Sequence, residues 1–232
     1  MPGPDAPQAG SGFVDPPEPP VYQDRWESIW SAGLPAGVRW DQSQAAPALQ
    51  ELLRRGAVDV RGKRVLVPGC GRGYDIPEFA AAGAAEVVGL ELAPTAVARA
   101  REYLTQGQWP GDQGSRMRVE EGDFMAWADP AGPFDVGFDY TFGCAMHPTM
   151  RHDWATHWAR SLAPGGVLVA LVFPVNPAAD PNAGPPFPVT PELYKELLQP
   201  QGFEVTFSEP VDPSVSLGPR KGREHMMLLR RK

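Results

Sequence analysis

One short segment, residues 64–75, constrains this chain more than any other. An apolar run ends at Pro68, and three glycines follow at alternate positions: Gly69, Gly71 and Gly73. Because glycine carries no Cβ, the backbone of such a turn can approach a ligand closely. The segment therefore predicts a buried strand that ends in a ligand-binding turn and leads into a helix.

A second apolar run follows this turn and ends on an acid. Val87, Val88 and Leu90 precede Glu91. A carboxylate at the end of the second strand can accept hydrogen bonds from a ribose diol. Packing alone explains many glycine turns, but the acid at this distance favours a nucleoside site over a purely structural turn.

The glycine spacing narrows the choice of nucleoside. It reads G-x-G-x-G rather than the dinucleotide pattern G-x-G-x-x-G, and no lysine follows as in a P-loop. S-adenosylmethionine (SAM) carries no phosphate, and its amino-acid part can bind backbone groups of the turn. A third predicted strand, residues 117–120, leads to Asp123 and Phe124. Asp123 can accept from the adenine amine and Phe124 can cover the ring, although an Asp here can equally cap a turn.

Several motifs then carry a resemblance to a known family. They are Trp26 and Trp30, Trp40-Asp41, the run 66–75, the run 88–91, Gly122-Asp123-Phe124 and Asp139-Tyr140-Thr141-Phe142. In this order they resemble the thiopurine S-methyltransferase superfamily of class I SAM-dependent methyltransferases, and within it the thiol and halide methyltransferases. The resemblance runs from about Trp26 to Arg230. In two places the chain differs from the usual pattern. Val38-Arg39 precedes Trp40-Asp41 where many members carry Thr-Pro, and Glu91 stands where Asp is more common.

The resemblance implies an enzyme that moves a methyl group from SAM to a small thiol, hydrosulfide or halide. A thiopurine or other aromatic thiol is the alternative acceptor. Two rival classes are a nicotinamide-dependent oxidoreductase and a SAM-binding protein without catalysis. The glycine spacing disfavours the first, and the lack of a basic face disfavours the second.

The alternation of apolar runs and amphipathic segments predicts a Rossmann-like α/β fold. Its mostly parallel sheet has seven strands and carries helices on both faces. Only a loop joins the last two strands, so they should be antiparallel. A turn at Pro164-Gly165-Gly166 should separate a helix from the fifth strand, and the loop 174–188 is long enough for a lid. The predicted strands are 64–67, 86–90, 117–120, 134–138, 167–173, 203–207 and 224–229, and the predicted helices are 25–31, 47–55, 76–82, 94–105, 149–162 and 190–198.

The two ends of the chain differ in composition. Residues 1–20 hold seven prolines and three glycines, so they predict a disordered tail, and residues 21–232 predict one SAM-dependent methyltransferase domain. The net charge of -7 argues against nucleic acid as a partner. No apolar stretch is long enough for a membrane span, and no signal segment opens the chain. The two cysteines, Cys70 and Cys144, lie in different motifs and form no disulfide framework, which favours a reducing cytoplasm, and we expect a monomer.

Histidines and tryptophans are the remaining candidates for ligand contacts. His147, His152 and His157 lie near a cysteine, but their spacing matches no zinc pattern, and we expect no metal. A sulfonium cation favours aromatic faces, so Trp26, Trp30 and Trp40 are candidates to contact it. Ordinary packing of an N-terminal helix on the sheet is the alternative. Asp41 can either orient Trp40 or cap the following turn.

Tyr140 and Arg151 are the candidate catalytic residues. Tyr140 follows the fourth predicted strand, where ligands of parallel sheets bind, and is expected to contact both donor and acceptor. Arg151 follows shortly after and can attract an anionic acceptor. The competing interpretation pairs Arg151 with Asp153 or lets it brace the loop around His147. Many thiols are partly ionised at neutral pH, so a dedicated base is not required.

Overall fold

A seven-stranded sheet organises the computed structural model, which describes residues 21–232. The predicted tail, residues 1–20, lies outside the described residues. The strands of the described part are β1 (Arg64–Pro68), β2 (Glu86–Glu91), β3 (Met117–Glu121), β4 (Phe134–Tyr140), β5 (Leu162–Val172), β6 (Phe203–Pro210) and β7 (His225–Arg231).

The strand order confirms the predicted architecture. It is β3-β2-β1-β4-β5-β7-β6, and neighbouring strands are parallel except that β7 runs antiparallel to both β5 and β6. The order reverses between β1 and β4. At such a switch point the loops after the two strands diverge and open a crevice at the carboxyl ends of the strands.

Helices cover both faces of the sheet because apolar side chains alternate along its strands. Val65 and Val67 pack in one core with Phe79, while Leu66 packs in the other with Trp154. The helices are α1 (Asp24–Ser31), α2 (Pro47–Arg54), α3 (Ile76–Ala81), α4 (Pro94–Gln106), α5 (Arg151–Ser161) and α6 (Pro191–Leu198). Within residues 21–232, no helix combines the length and apolar character needed to cross a membrane.

The structure corrects the predicted boundary at Pro164-Gly165-Gly166. Helix α5 ends at Ser161, and β5 begins at Leu162, before these residues. The pairing of β4 with β5 shifts register here: Phe134 pairs with Leu162, whereas Val136 pairs with Val167. The proline and glycines therefore form an irregularity within the strand, and the predicted turn between helix and strand is wrong.

Asp139 joins the crevice to the helices on one face. Its buried carboxylate is 1 % exposed and lies near the end of β4. It accepts hydrogen bonds from the Gly143 amide (2.9 Å), the Trp154 indole (2.9 Å), the Trp158 indole (3.2 Å) and the Tyr194 hydroxyl (3.2 Å). Burial raises the pKa of Asp139, and the four donors act against that shift. This carboxylate thus links β4, the turn after it, α5 and α6.

We predict that Asp139→Asn lowers the free energy of unfolding by about 2–4 kcal/mol, because its amide N–H group would face buried donors. Urea denaturation monitored by circular dichroism measures the change. Asp153→Asn, on the exposed side of α5, is the control and should stay within about 0.5 kcal/mol of the parent. Equal effects of the two substitutions would contradict the proposed importance of this carboxylate.

Candidate active site

The glycine turn after β1 has the conformation that the sequence predicts for a close approach. Gly69 and Gly71 have φ angles of 59° and 53°, which L-residues rarely adopt. A Cβ on Gly69 would lie 2.5 Å from Cδ2 of Phe142, and one on Gly71 would lie 3.5 Å from Cζ2 of Trp30. Side chains of the fold thus pack directly on this turn.

The turn lines an open cavity, the first cavity, at the carboxyl ends of the parallel strands; its volume of about 1050 Å³ includes space open to solvent. The structure brings most of the predicted cofactor residues together here: Trp26, Trp30, Trp40, Gly69, Gly71, Glu91, Asp123 and Phe124 all line it. Gly73 does not. A Cβ there would lie 3.3 Å from Cδ1 of Ile76, on the helix side of the turn.

Glu91 ends β2 and is held by backbone amides. Its Oε1 accepts from the amides of Leu92 (2.8 Å) and Ala93 (3.0 Å), and its Oε2 accepts from Gly71 (3.0 Å). A carboxylate oxygen has two acceptor positions, so Oε2 can also accept from a ligand hydroxyl. Burial raises the pKa of Glu91, and the three amides partly offset the shift. The geometry suits recognition of a diol.

Asp123 and Phe124 follow β3 on the same side of the cavity. Oδ1 of Asp123 accepts from the Met125 amide (2.9 Å), which is a turn cap, while the residue also lines the cavity. Phe124 is buried, and its ring packs against Phe142 with centroids 5.1 Å apart. The two interpretations of Asp123, cap and ligand contact, are therefore compatible.

Three tryptophans form an aromatic wall opposite the glycine turn. The ring centroids of Trp26 and Trp40 are 5.5 Å apart, and those of Trp30 and Trp40 are 6.3 Å apart. The guanidinium of Arg72 lies 5.2 Å from the Trp30 ring, so this wall already accommodates a cation. Aromatic faces of this kind attract cations by about 0.5–2 kcal/mol each.

A second cavity, of about 610 Å³, adjoins the first. The two share Trp30, Trp40, Gly69, Gly71 and Thr141, so they are two ends of one cleft. Charged and hydrogen-bonding side chains line the second cavity: Asp41, Gln42, Gln44, Arg72, Tyr74, Asp75, Tyr140 and Arg220.

Asp41 caps the turn that follows it. Its Oδ1 accepts from the amides of Gly37 (3.0 Å) and Ser43 (2.8 Å), and its Oδ2 pairs with Nε of Arg72 at 2.7 Å. Nη2 of Arg72 in turn donates to the Leu34 carbonyl at 2.6 Å. This pair ties the segment before α2 to the glycine turn.

Tyr140 lines the second cavity rather than the first. Its hydroxyl donates to Oε1 of Glu224 at 2.5 Å, and the Arg220 guanidinium lies 4.9 Å from the centre of its ring. Burial raises the pKa of Tyr140 well above its usual value, so the hydroxyl stays protonated. The hydrogen bond to Glu224 and the contact with Arg220 hold the Tyr140 side chain in place.

Arg151 lies behind the cleft. It is 7 % exposed, lines neither cavity, and donates from Nη2 to the Pro188 carbonyl at 3.3 Å. Burial lowers the pKa of Arg151. The bond to Pro188 braces the end of the loop 174–188, and the predicted attraction of an anionic acceptor stays a prediction.

Several residues that line the first cavity were not predicted from the sequence patterns. They come from the segment before α1, the turn between β4 and α5, and the loop after β5: Tyr22, Cys144, Met146, Met150, Phe173, Pro185 and Pro186. The length of the loop 174–188 was the one available signal, because it predicted a lid. Across residues 21–232, no group of three or more His, Cys, Asp or Glu side chains could hold a metal ion.

Comparison with known proteins shows which proteins this chain is similar to. The family model "Thiopurine S-methyltransferase (TPMT)" matches residues 21–232. The "Probable thiol methyltransferase 2" of Arabidopsis thaliana is 37% identical over 201 residues, which cover 87% of this chain and 82% of that protein. The "Thiocyanate methyltransferase 1" of Brassica oleracea is 34% identical over 206 residues, which cover 89% of this chain and 84% of that protein.

Solved structures show the same fold at lower identity. The glycopeptide N-methyltransferase MtfA, in complex with S-adenosyl-L-homocysteine (SAH), superposes with a TM-score of 0.64 at 18% identity. The match covers 82% of this chain and 90% of MtfA.

We predict that Glu91→Gln weakens SAH binding by about 1–3 kcal/mol, because a charged acceptor of the ribose diol is lost. Isothermal titration calorimetry measures the affinity, and a thermal melt checks the fold. Glu121→Gln is the matched control, since Glu121 pairs with Glu91 across β2 and β3 but is exposed and lines neither cavity. Unchanged affinity in Glu91→Gln would contradict the assignment.

We predict that Asp75→Asn stabilises the protein at neutral pH. Burial raises the pKa of Asp75 to about 6, above its unfolded value near 3.8. The folded state therefore binds more protons between these values, and the parent loses stability as pH rises through this range, by at most about 3 kcal/mol. Asn keeps an acceptor for the Ala46 amide, which donates to Asp75 at 2.8 Å. Urea denaturation should show a larger gain at pH 7.5 than at pH 4.5; a gain independent of pH would contradict the prediction.

Proposed function

Because the chain belongs to the thiopurine S-methyltransferase family of SAM-dependent methyltransferases, we propose that it methylates a small sulfur nucleophile, such as a thiol or hydrosulfide. A halide ion is a further acceptor in this proposal. The observation that supports this proposal is the lining of the first cavity outside the aromatic wall. That part of the lining is apolar and contains several sulfur atoms: Cys144, Met146, Met150 and Phe173 contribute to it.

Residues of the cleft fit the methyl donor from end to end. Glu91 faces the ribose diol, Asp123 and Phe124 face adenine, and the glycine turn gives backbone access to the donor's amino-acid part. The wall shared by the two cavities, with Trp30 and Trp40, suits the sulfonium between these ends. When bound, SAM supplies an electrophilic methyl group on a sulfonium.

Positioning is the main contribution of the protein to the reaction. An in-line displacement needs donor and nucleophile held in line without water, which is worth roughly 7–11 kcal/mol at best. Among the described residues that line the first cavity there is no Lys, Arg or His. In this proposal the acceptor reacts as an anion: halide ions are always charged, and hydrosulfide and small thiols are ionised in part near neutral pH.

Tyr140 and Arg151 act indirectly in this proposal. Tyr140, fixed by Glu224, forms part of the second cavity next to the shared wall. Arg151 holds the carboxyl end of the loop that contributes Pro185 and Pro186 to the first cavity, and its charge attracts an anion from behind the wall.

We further propose that the domain spanning residues 21–232 acts as a monomer in the cytoplasm. Cys70 and Cys144 form no disulfide within residues 21–232, which suits a reducing compartment. Light scattering on the purified protein tests the monomer.

We predict that hydrosulfide, small thiols, thiocyanate and iodide release SAH when mixed with the protein and SAM. A panel that also includes aromatic thiols and a thiopurine ranks the acceptors by kcat/KM, measured as SAH release. Glu91→Gln is the control, and its rate at low SAM should fall with every acceptor. A preference for the thiopurine over all small nucleophiles would favour the alternative acceptor, and no release with any compound would refute the proposal.

A further inference from the structure

Tyr22 contributes an aromatic ring to the first cavity from outside the sheet. It lies just before α1, is half-buried and lines the cavity. Its hydroxyl donates to the Ala145 carbonyl at 2.5 Å. Ala145 stands between Cys144 and Met146, two residues of the apolar lining to which the acceptor is assigned. This hydrogen bond therefore holds the Tyr22 ring beside the proposed acceptor site.

Two ring contacts restrict the Tyr22 side chain further. The ring centroids of Tyr22 and Trp26 are 6.2 Å apart with an interplanar angle of 90°. The centroid of the His147 ring lies 6.0 Å from that of Tyr22. Such edge-to-face arrangements are favourable for aromatic pairs. Because these contacts act together with the hydrogen bond, the Tyr22 ring has little freedom to leave the cavity.

The loop after β5 borders the same part of the cavity. Pro185-Pro186 lines the cavity, and the amide of the next residue, Phe187, donates to the Cys144 carbonyl at 2.7 Å. The Phe187 ring also packs edge-on against His147, with centroids 5.4 Å apart. The turn after β4 thus holds both this loop and Tyr22 through neighbouring carbonyls. The space left for an acceptor lies between fixed groups.

The Tyr22 hydroxyl is unsuited to act as a base. Burial raises the pKa of Tyr22 above its already high ordinary value, so the hydroxyl stays protonated at neutral pH. Its proton is directed at the Ala145 carbonyl. The contribution of this residue to the reaction is therefore steric.

We propose that Tyr22 determines the size of acceptor that the enzyme methylates, because its ring occupies space that an aromatic thiol would need. The proposal rests on the proposed function, which assigns the acceptor to the same apolar lining. With Tyr22 in place, hydrosulfide, small thiols and halides reach the donor methyl, and a benzene ring is excluded. A smaller side chain at this position leaves an apolar space of about one ring, and spaces of this kind bind benzene.

The chemical step is the same for a small and an aromatic thiol. The thiolate sulfur forms a bond to the methyl carbon while the bond from that carbon to the donor sulfur breaks, and SAH leaves with the electron pair. Any difference between the two acceptors at Tyr22 therefore reflects access and fit.

The experiment compares four variants with the parent. Tyr22→Ala and Tyr22→Leu remove the ring, whereas Tyr22→Phe keeps the ring and loses only the bond to Ala145. Tyr103→Ala is the matched control, because Tyr103 is also a half-buried tyrosine with two ring contacts but lines neither cavity. SAH release gives kcat/KM for benzenethiol and for hydrosulfide, and isothermal titration calorimetry gives the SAH affinity.

The expected result is a change in the ratio of the two acceptors. The ratio of kcat/KM for benzenethiol to that for hydrosulfide should rise at least tenfold in Tyr22→Ala and by a smaller factor in Tyr22→Leu. It should stay within twofold of the parent in Tyr22→Phe and Tyr103→Ala. The affinity for SAH should stay within threefold of the parent in all four variants.

A binding measurement separates this proposal from the proposed function. Thioanisole, the methylated product of benzenethiol, binds without any reaction. Calorimetry on the SAH complex should show thioanisole bound at least tenfold more tightly by Tyr22→Ala than by the parent. If the parent methylates no acceptor, the proposed function is wrong, and the thioanisole titration still decides whether Tyr22 excludes an aromatic ring.

Three results would overturn the proposal. An unchanged acceptor ratio, or equal thioanisole affinity in the parent and Tyr22→Ala, would mean that the ring does not limit acceptor size. An equal loss for both acceptors with weaker SAH binding would mean that Tyr22 only supports the aromatic wall. A change in Tyr22→Phe as large as in Tyr22→Ala would assign the effect to the hydroxyl. A thermal melt checks the fold of each variant, and Tyr22→Leu provides the same comparison if Tyr22→Ala does not fold.

Discussion

The buried carboxylate of Asp139 is the interaction on which the site depends most. It collects donors from the turn after β4 and from two helices, so it fixes where that turn lies relative to the glycine turn after β1. Thr141 then adopts a φ of 54°, and Phe142 packs so closely over Gly69 that no Cβ fits between them. A buried acid without its donors would be costly, and therefore one carboxylate enforces the geometry of both strand ends.

The position of the aromatic wall depends on a second interaction, because α1 packs mainly on α4 rather than on the sheet. Glu27 supplies it by accepting from the amide (3.0 Å) and hydroxyl (2.6 Å) of Thr95, in the first turn of α4. A carboxylate at a helix N-terminus also interacts favourably with the helix dipole. Trp26 and Trp30 lie on the same short helix as Glu27, α1, so the contact between Glu27 and Thr95 helps to fix the position of the aromatic wall.

Local patterns in the sequence predicted the features that depend on neighbouring residues, such as strands and helix caps. Glycine spacing and apolar alternation located six of the seven strands within about three residues at each end, whereas β5 begins five residues before its predicted start; the position of Glu91 at the end of β2 followed from its strand. The cap of α6 was also predictable, since Thr190 accepts from the Leu193 amide and Pro191 begins the helix. The Pro164-Gly165-Gly166 error arose because a bulge and a turn use the same residues, and only the partner strand distinguishes them.

Contacts between segments that are distant along the chain could not be predicted from the sequence. Arg151 was expected to attract an anionic acceptor, but its hydrogen-bond partner, the Pro188 carbonyl, lies 37 residues along the chain, and Arg151 lines neither cavity. The second cavity likewise depends on Arg220, which bonds to the carbonyl of Trp40 across the fold. Periodicity and motif spacing carry no information on such pairs, and so the charged end of the cleft appeared only in the structure.

Charge in the cleft opposes stability in a way that binding can offset. Burial raises the pKa of both Glu91 and Asp75, so the ionisation of each carboxylate lowers the stability of the free protein at neutral pH. Under the proposed function, a ribose diol that donates to Glu91 would offset part of this cost on binding, and any ligand of the folded state stabilises it by mass action. The cleft is therefore organised for its ligand at the expense of the empty protein.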